Sequence, residues 1–218
     1  MSQVQGVLKL WGRKNSSNVQ KVSWLLGELG LDYEQVTVGG KYGGLDTPQF
    51  LALNPHGRIP VLEHNGAAIW ESHTILRYLA ATAATEHPEF WPASPAARAT
   101  ADGWLDWTLA LLQPAFGEVF IGFYRTPPEQ RNLTQVESAL KRLNGHFQLL
   151  DQQLAQRPFI GGDALSLADF GAGTLLHRYF NIDVERPALP HLQDLYQRLC
   201  QRPAYAANVA VPFDELRG

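Results

Sequence analysis

Two unlike halves are predicted from this sequence: a small α/β domain in the order β-α-β-α-β-β-α, followed by an all-helical domain. Three observations carry the prediction. Residues 7–38 read as strand, helix, strand; an Asn65-Gly66 pair separates two short apolar runs; and past residue 82 no convincing strand remains. The chain has 218 residues, enough for a sizeable core. The expected domains are 1–82 and 96–218, joined by a linker at 83–95.

The elements follow in order. Residues 7–12 form an apolar run and read as a buried strand. Val19, Val22, Leu25, Leu26 and Leu29 recur at helical spacing, with Gly30 at the usual stopping position. Residues 33–38 alternate and are β-branched, which predicts a second strand parallel to the first. GGKYGG at 39–44 reads as a flexible loop, and DTPQFLALNP as a short helix ended by Pro55. Residues 59–70 predict a hairpin, because Asn-Gly supplies the two positive φ angles of a tight turn. ESHTILRYLA then reads as a helix.

Residues 81–98 are rich in Ala, Pro and polar groups, as linkers are. A long helix is expected over 96–122, kinked at Pro114, with RTPPEQ as the break after it. Val136, Leu140, Leu143, Phe147, Leu150 and Leu154 predict a helix within 128–155. Ser166 and Asp169 match a capping box opening SLADFGAGTLLHRYF. LPHLQDLYQRLCQRP predicts a last helix, stopped before Pro203.

Bulk properties exclude several classes. The net charge is −3, which argues against a general nucleic-acid binder. Cys200 is the single cysteine, so no internal disulfide forms; it reads as a core residue of its helix. No C-x-x-C, Walker A or G-x-S-x-G motif occurs, and the seven histidines show no paired metal-ligand spacing. The first residues show no charged region followed by a long apolar one, and no apolar stretch is long enough to span a bilayer. The expectation is a soluble cytoplasmic protein with no metal, nucleic-acid partner or membrane attachment.

Four motifs distributed over both halves point to chemistry: GRKNSSNVQKV at 12–22, NPHGRIPVL at 54–62, WES at 70–72 and FIGGDALSLADF at 159–170. Together they resemble the cytosolic glutathione transferases over nearly the whole chain. The first loop resembles the serine-type, theta- and delta-like branch, and also bacterial members with an Asn- and Ser/Thr-rich loop. The resemblance implies a thioredoxin-like first domain, glutathione as co-substrate and a homodimer.

It also implies roles. Ser16 aligns with the family's catalytic serine, with Asn15, Ser17 and Asn18 as alternatives or helpers; Ser17 or Asn18 also fits a plain helix cap. A hydroxyl that donates a hydrogen bond favours a thiolate, as does the positive end of the following helix, and the thiolate is the nucleophile. Ile59 and cis Pro60 are expected to pair with the backbone of the glutathione cysteine, and Glu71 with Ser72 to read the γ-glutamyl zwitterion at a helix N-terminus. Lys41 and Arg58, with His56 behind them, are the cations for the glycine carboxylate. His73 has no assigned role. Trp107, Phe123, Tyr124 and Arg125 are candidates for the electrophile site, beside Trp104, Phe116 and Phe120; Arg125 suits an anionic electrophile.

The implied reaction is thiolate attack on a small electrophile, including halide displacement from halo-acids or haloarenes. Two alternatives stand beside it: a glutathione-dependent disulfide or peroxide reductase, kept open by Asn15 and Asn18, and a non-catalytic interaction module on the same fold.

Overall fold

The computed structural model describes residues 6–218; the first five residues of the predicted first domain lie outside these. The chain opens with β1 (Leu8–Trp11), α1 (Ser17–Glu28), β2 (Glu34–Val36), α2 (Pro48–Leu53), β3 (Val61–His64), β4 (Ala67–Trp70) and α3 (Ser72–Thr82). This is the predicted β-α-β-α-β-β-α order. The four strands form one sheet in the order β2-β1-β3-β4. β1 and β2 run parallel, with Leu10 opposite Gln35; β1 and β3 run antiparallel, with Leu10 opposite Leu62. The hairpin turns at Asn65 (φ 51°) and Gly66 (φ 81°), the left-handed pair that a two-residue turn demands.

α1 ends as its sequence dictates. Gly30 (φ 64°) lets its N–H reach Gly27 O and the Leu31 N–H reach Leu26 O, closing two carbonyls left open by the last turn. The GGKYGG stretch departs from the expected loop: Gly40–Tyr42 form a 3₁₀ turn closed by Gly39 N–H to Gly43 O.

The second half is helical: α4 (Pro95–Trp107), α5 (Gln113–Val119), α6 (Leu133–Leu154), α7 (Leu167–Asn181), α8 (Pro190–Cys200) and α9 (Pro203–Asn208). Two π-helical stretches, Thr108–Leu112 and Phe120–Arg125, join α4 and α5 into a helical run over 95–125. Pro114 therefore sits at the start of α5 after a widened turn. The wider turn accommodates a residue that has no N–H to give and whose ring crowds the preceding turn. Arg125 closes this run rather than lying in the loop after it. α9 was not expected: Pro203 suits a first helical turn as well as it stops the previous helix.

The core is continuous across both halves. Trp24 of α1 is fully buried, 4.1 Å from the Phe170 ring of α7 and 4.9 Å from the Tyr205 ring of α9. Gly173 allows this approach, since a Cβ there would lie 3.0 Å from Leu199 and 3.3 Å from Trp24.

At the head of α7 the buried Asp169 carboxylate accepts from Ile160 N–H at 2.7 Å, Ser166 N–H at 2.9 Å and the Ser166 hydroxyl at 3.2 Å. It ties the loop before the helix to the helix itself. Asp169→Ala strands these donors away from water and should lower the unfolding free energy by about 2–4 kcal/mol in urea titrations.

Candidate functional site

The N-termini of α1 and α3 meet the helical half at a cleft of about 270 Å³. Its walls include Asn18 from α1, Arg58, Ile59 and Pro60 from the approach to β3, Glu71 and Ser72 from the head of α3, and Leu109 and Gln113 from the helical half. Six of these eight were singled out from the sequence.

Each wall has a local cause. Asn54, 2% exposed, also lines the cleft and clamps the turn before β3: its Nδ2 donates to Arg58 O at 2.8 Å and its Oδ1 accepts from His56 N–H at 3.0 Å. The Ile59-Pro60 peptide that follows is cis. Ser72 is the first residue of α3 and is buried, while the exposed Glu71 caps the helix at φ 69°, ψ 120°. Side chains rarely adopt that backbone, and a residue held there stores strain. The free N–H groups of the first turn of α3 and their positive dipole make this end an anion site.

The remaining predicted residues lie elsewhere. Ser16 is the N-cap of α1, is 9% exposed, makes no side-chain bond to the helix N–H groups and is outside the lining of this cleft. Asn15 and Lys41 instead meet Glu215 near the C-terminus. Asn15 Nδ2 donates to one carboxylate oxygen at 2.5 Å and Lys41 Nζ to the other at 3.0 Å. These contacts hold the Glu215 carboxyl below the usual carboxylate range, the Lys41 hydrogen bond being the largest cause.

Arg178 of α7 approaches the same loop from below, donating to Asn15 O at 2.8 Å and Gln20 Oε1 at 3.1 Å. Burial, then Arg13 and Arg125, lower its pKa to about 10. Tyr124 is buried between the rings of Phe120 and Phe213, at 5.1 Å from each. Trp107 packs edge-on against Trp104 at 5.3 Å and His146 at 5.8 Å, and Phe123 lies under Arg131 at 4.7 Å. None of these four candidates, Arg125 included, lines the cleft.

Sequence reasoning missed Leu109, Gln113, Lys21, Arg178 and Glu215. Lys21 alone left a signal: it shares a helical face with Asn18 and Leu25, the side of α1 that turns inward.

Comparison with known proteins gives a consistent result. Sequence models for "Glutathione S-transferase, N-terminal domain" and "Glutathione S-transferase, C-terminal domain" match residues 6–81 and 112–203. Glutathione S-transferase GstB of Escherichia coli (strain K12) is 38% identical over 208 residues, 94% of this chain and 99% of that protein. The theta class glutathione S-transferase from the citrus canker pathogen Xanthomonas axonopodis pv. citri, solved with glutathione bound, superposes with a TM-score of 0.90. It is 40% identical, over 95% of this chain and 99% of that one. Disulfide-bond oxidoreductase YfcG of Escherichia coli (strain K12) is more distant, 27% identical over 86% of this chain and 87% of its own.

The strain at residue 71 is testable without any ligand. Glu71→Gly places a permissive residue at that backbone geometry and should raise stability by about 1 kcal/mol, read as a higher thermal midpoint.

Proposed function

We propose that this chain, which belongs to the glutathione S-transferase family, binds glutathione in the cleft between its halves and directs the thiolate at a small electrophile. The observation that supports this most is the gathering of Asn18, Arg58, Ile59, Pro60, Glu71 and Ser72 around one cleft at two helix N-termini.

In this reading Glu71 and Ser72 take the γ-glutamyl end, the Glu71 carboxylate facing the ammonium and the head of α3 facing the carboxylate. Ile59 offers backbone groups to the central cysteine. Arg58 draws the glycine carboxylate, with Lys41 as the outer cation. The sulfur lies at the head of α1, near Ser16 and Asn18, with Asn15 behind them. The thiol proton passes to solvent, the sulfur lone pair forms the C–S bond, and with a haloarene or halo-acid the halide leaves with the C–X pair. Trp107, Phe123, Tyr124 and Arg125 are the residues we propose to bias the choice of electrophile, Arg125 toward anionic ones. Residues 1–82 carry the glutathione site and 96–218 the electrophile side, with 83–95 between them. A cytoplasmic two-fold homodimer follows by family analogy. No helix among the described residues is long and apolar enough to cross a membrane.

A second reading is disulfide reduction, in which two glutathiones supply two electrons, a disulfide becomes two thiols and glutathione becomes its own disulfide. Asn18 in the cleft wall and the likeness to YfcG favour it. Turnover of a chlorodinitroarene against hydroxyethyl disulfide, each with glutathione, separates the two. The transferase reading expects the haloarene to be the faster; disulfide turnover alone would replace it. Ser72→Ala should raise the KM for glutathione roughly tenfold while leaving the electrophile's KM near its wild-type value, as a lost hydrogen bond to a charged group requires.

A further inference from the structure

Lys21 carries an amine into the interior of the protein with no carboxylate in contact. It lies on α1 one turn beyond Asn18 and is 0% exposed. Its Nζ has three neighbours within hydrogen-bond distance: Asn18 Oδ1 at 3.0 Å, His73 Nε2 at 3.0 Å and Gln113 Oε1 at 2.5 Å. They come from α1, α3 and α5, so the amine joins the two halves directly behind the cleft.

The charges facing it are few. Burial lowers the Lys21 pKa to about 7, and Glu71, acting through space, opposes that fall. His73 stays neutral, pushed down to about 2 by burial first and then by Lys21 and Arg77. A neutral imidazole with an unprotonated Nε2 is an acceptor, and so are the two amide oxygens. An ammonium has three protons and no lone pair. With the His73 proton on Nδ1, the three neighbours match the three protons of the ammonium.

The two amides gain a direction from this. An amide accepts at its oxygen and donates at its nitrogen. The oxygens of Asn18 and Gln113 are both taken by Lys21, so their NH₂ groups are turned the other way. Both residues line the cleft, one from each half of the protein. Among the described residues neither Asn18 Nδ2 nor Gln113 Nε2 donates to another protein group.

We infer that Lys21 is a positioning residue: it holds the Asn18 and Gln113 amides so that their NH₂ groups face the glutathione sulfur and donate to the thiolate. This rests on the glutathione reading of the cleft and extends it to a residue that touches no substrate. It also gives His73 a role, as the third acceptor that fixes Lys21. Electrostatics act in the same direction. A thiolate brings a negative charge toward a buried cation that lacks a counter-ion, so each stabilises the other.

The test is an ultraviolet titration of bound glutathione in the wild type, Lys21→Met, Asn18→Ala and the double variant, with glutathione binding measured calorimetrically in parallel. Methionine fills the volume of the stem and removes a buried charge, a change that folded proteins often tolerate. Lys21→Met and Asn18→Ala should each raise the pKa of the bound thiol by about one unit or more, with glutathione affinity at low pH little changed. The double variant should move it little beyond the larger single shift, because Lys21 acts through the amides. A role limited to holding the helices together would change the thermal midpoint and leave the thiol titration in place. A thiol pKa unmoved by Lys21→Met overturns the inference. Should that variant not fold, an unmoved pKa in Asn18→Ala overturns it equally. Absence of glutathione binding by the wild type would remove the glutathione reading itself; a depressed thiol pKa that neither variant shifts would remove only the role of Lys21.

Discussion

Burial of α1 on all sides governs this protein. Eight consecutive residues, Val19 to Leu26, are buried, where a surface helix would bury one stripe. α3 lies against it within the sheet-bearing half, and α7 and α9 lie against it from the helical half. Trp24, Phe170 and Tyr205 fill the junction with aromatic rings. A helix enclosed in this way cannot send its polar side chains to water, and each one left unpaired would cost about 1–3 kcal/mol. Gln20, Lys21 and Ser23 must therefore find partners inside. Gln20 receives Arg178, Ser23 donates to Gln20 O at 3.3 Å, and Lys21 reaches across to α3 and α5.

The cleft is a by-product of the same packing. α1 and α3 lie side by side, so their N-termini open at one place, each with free N–H groups and a positive end. The approach to β3, fixed by Asn54, supplies the third wall. Local conflict is concentrated here: Glu71 occupies an unfavoured backbone region, and the Lys21 amine is fully buried. Conflicts of this kind are most often found at functional sites.

Much of this was legible in the sequence, because the relevant signals are local. Alternation and the Asn65-Gly66 pair define the hairpin, Gly30 marks the end of α1, and the motif at 54–62 with Glu71 and Ser72 identifies most of the cleft wall. What was not legible depends on contacts distant in sequence. Gln113 lies 92 residues from Lys21, and Glu215 lies 200 from Asn15, so no spacing rule relates them. The widened turns at 108–112 and 120–125 likewise have no simple pattern, since their apolar residues are compatible with an ordinary helix. The aromatic candidates of the helical half lie outside the lining of the cleft: Tyr124 and Trp107 pack against other rings, as aromatic residues at helical spacing generally do.

The central claim is that a cleft made by two helix N-termini stabilises the thiolate of glutathione. The most direct measurement is the ultraviolet absorbance of glutathione bound to the unmodified protein, followed against pH. The thiolate should appear with a midpoint at least about one unit below the value of roughly 8.5 for a free thiol. A midpoint at the free value, with glutathione demonstrably bound, would mean that the cleft holds the peptide without activating its sulfur, and would contradict the claim.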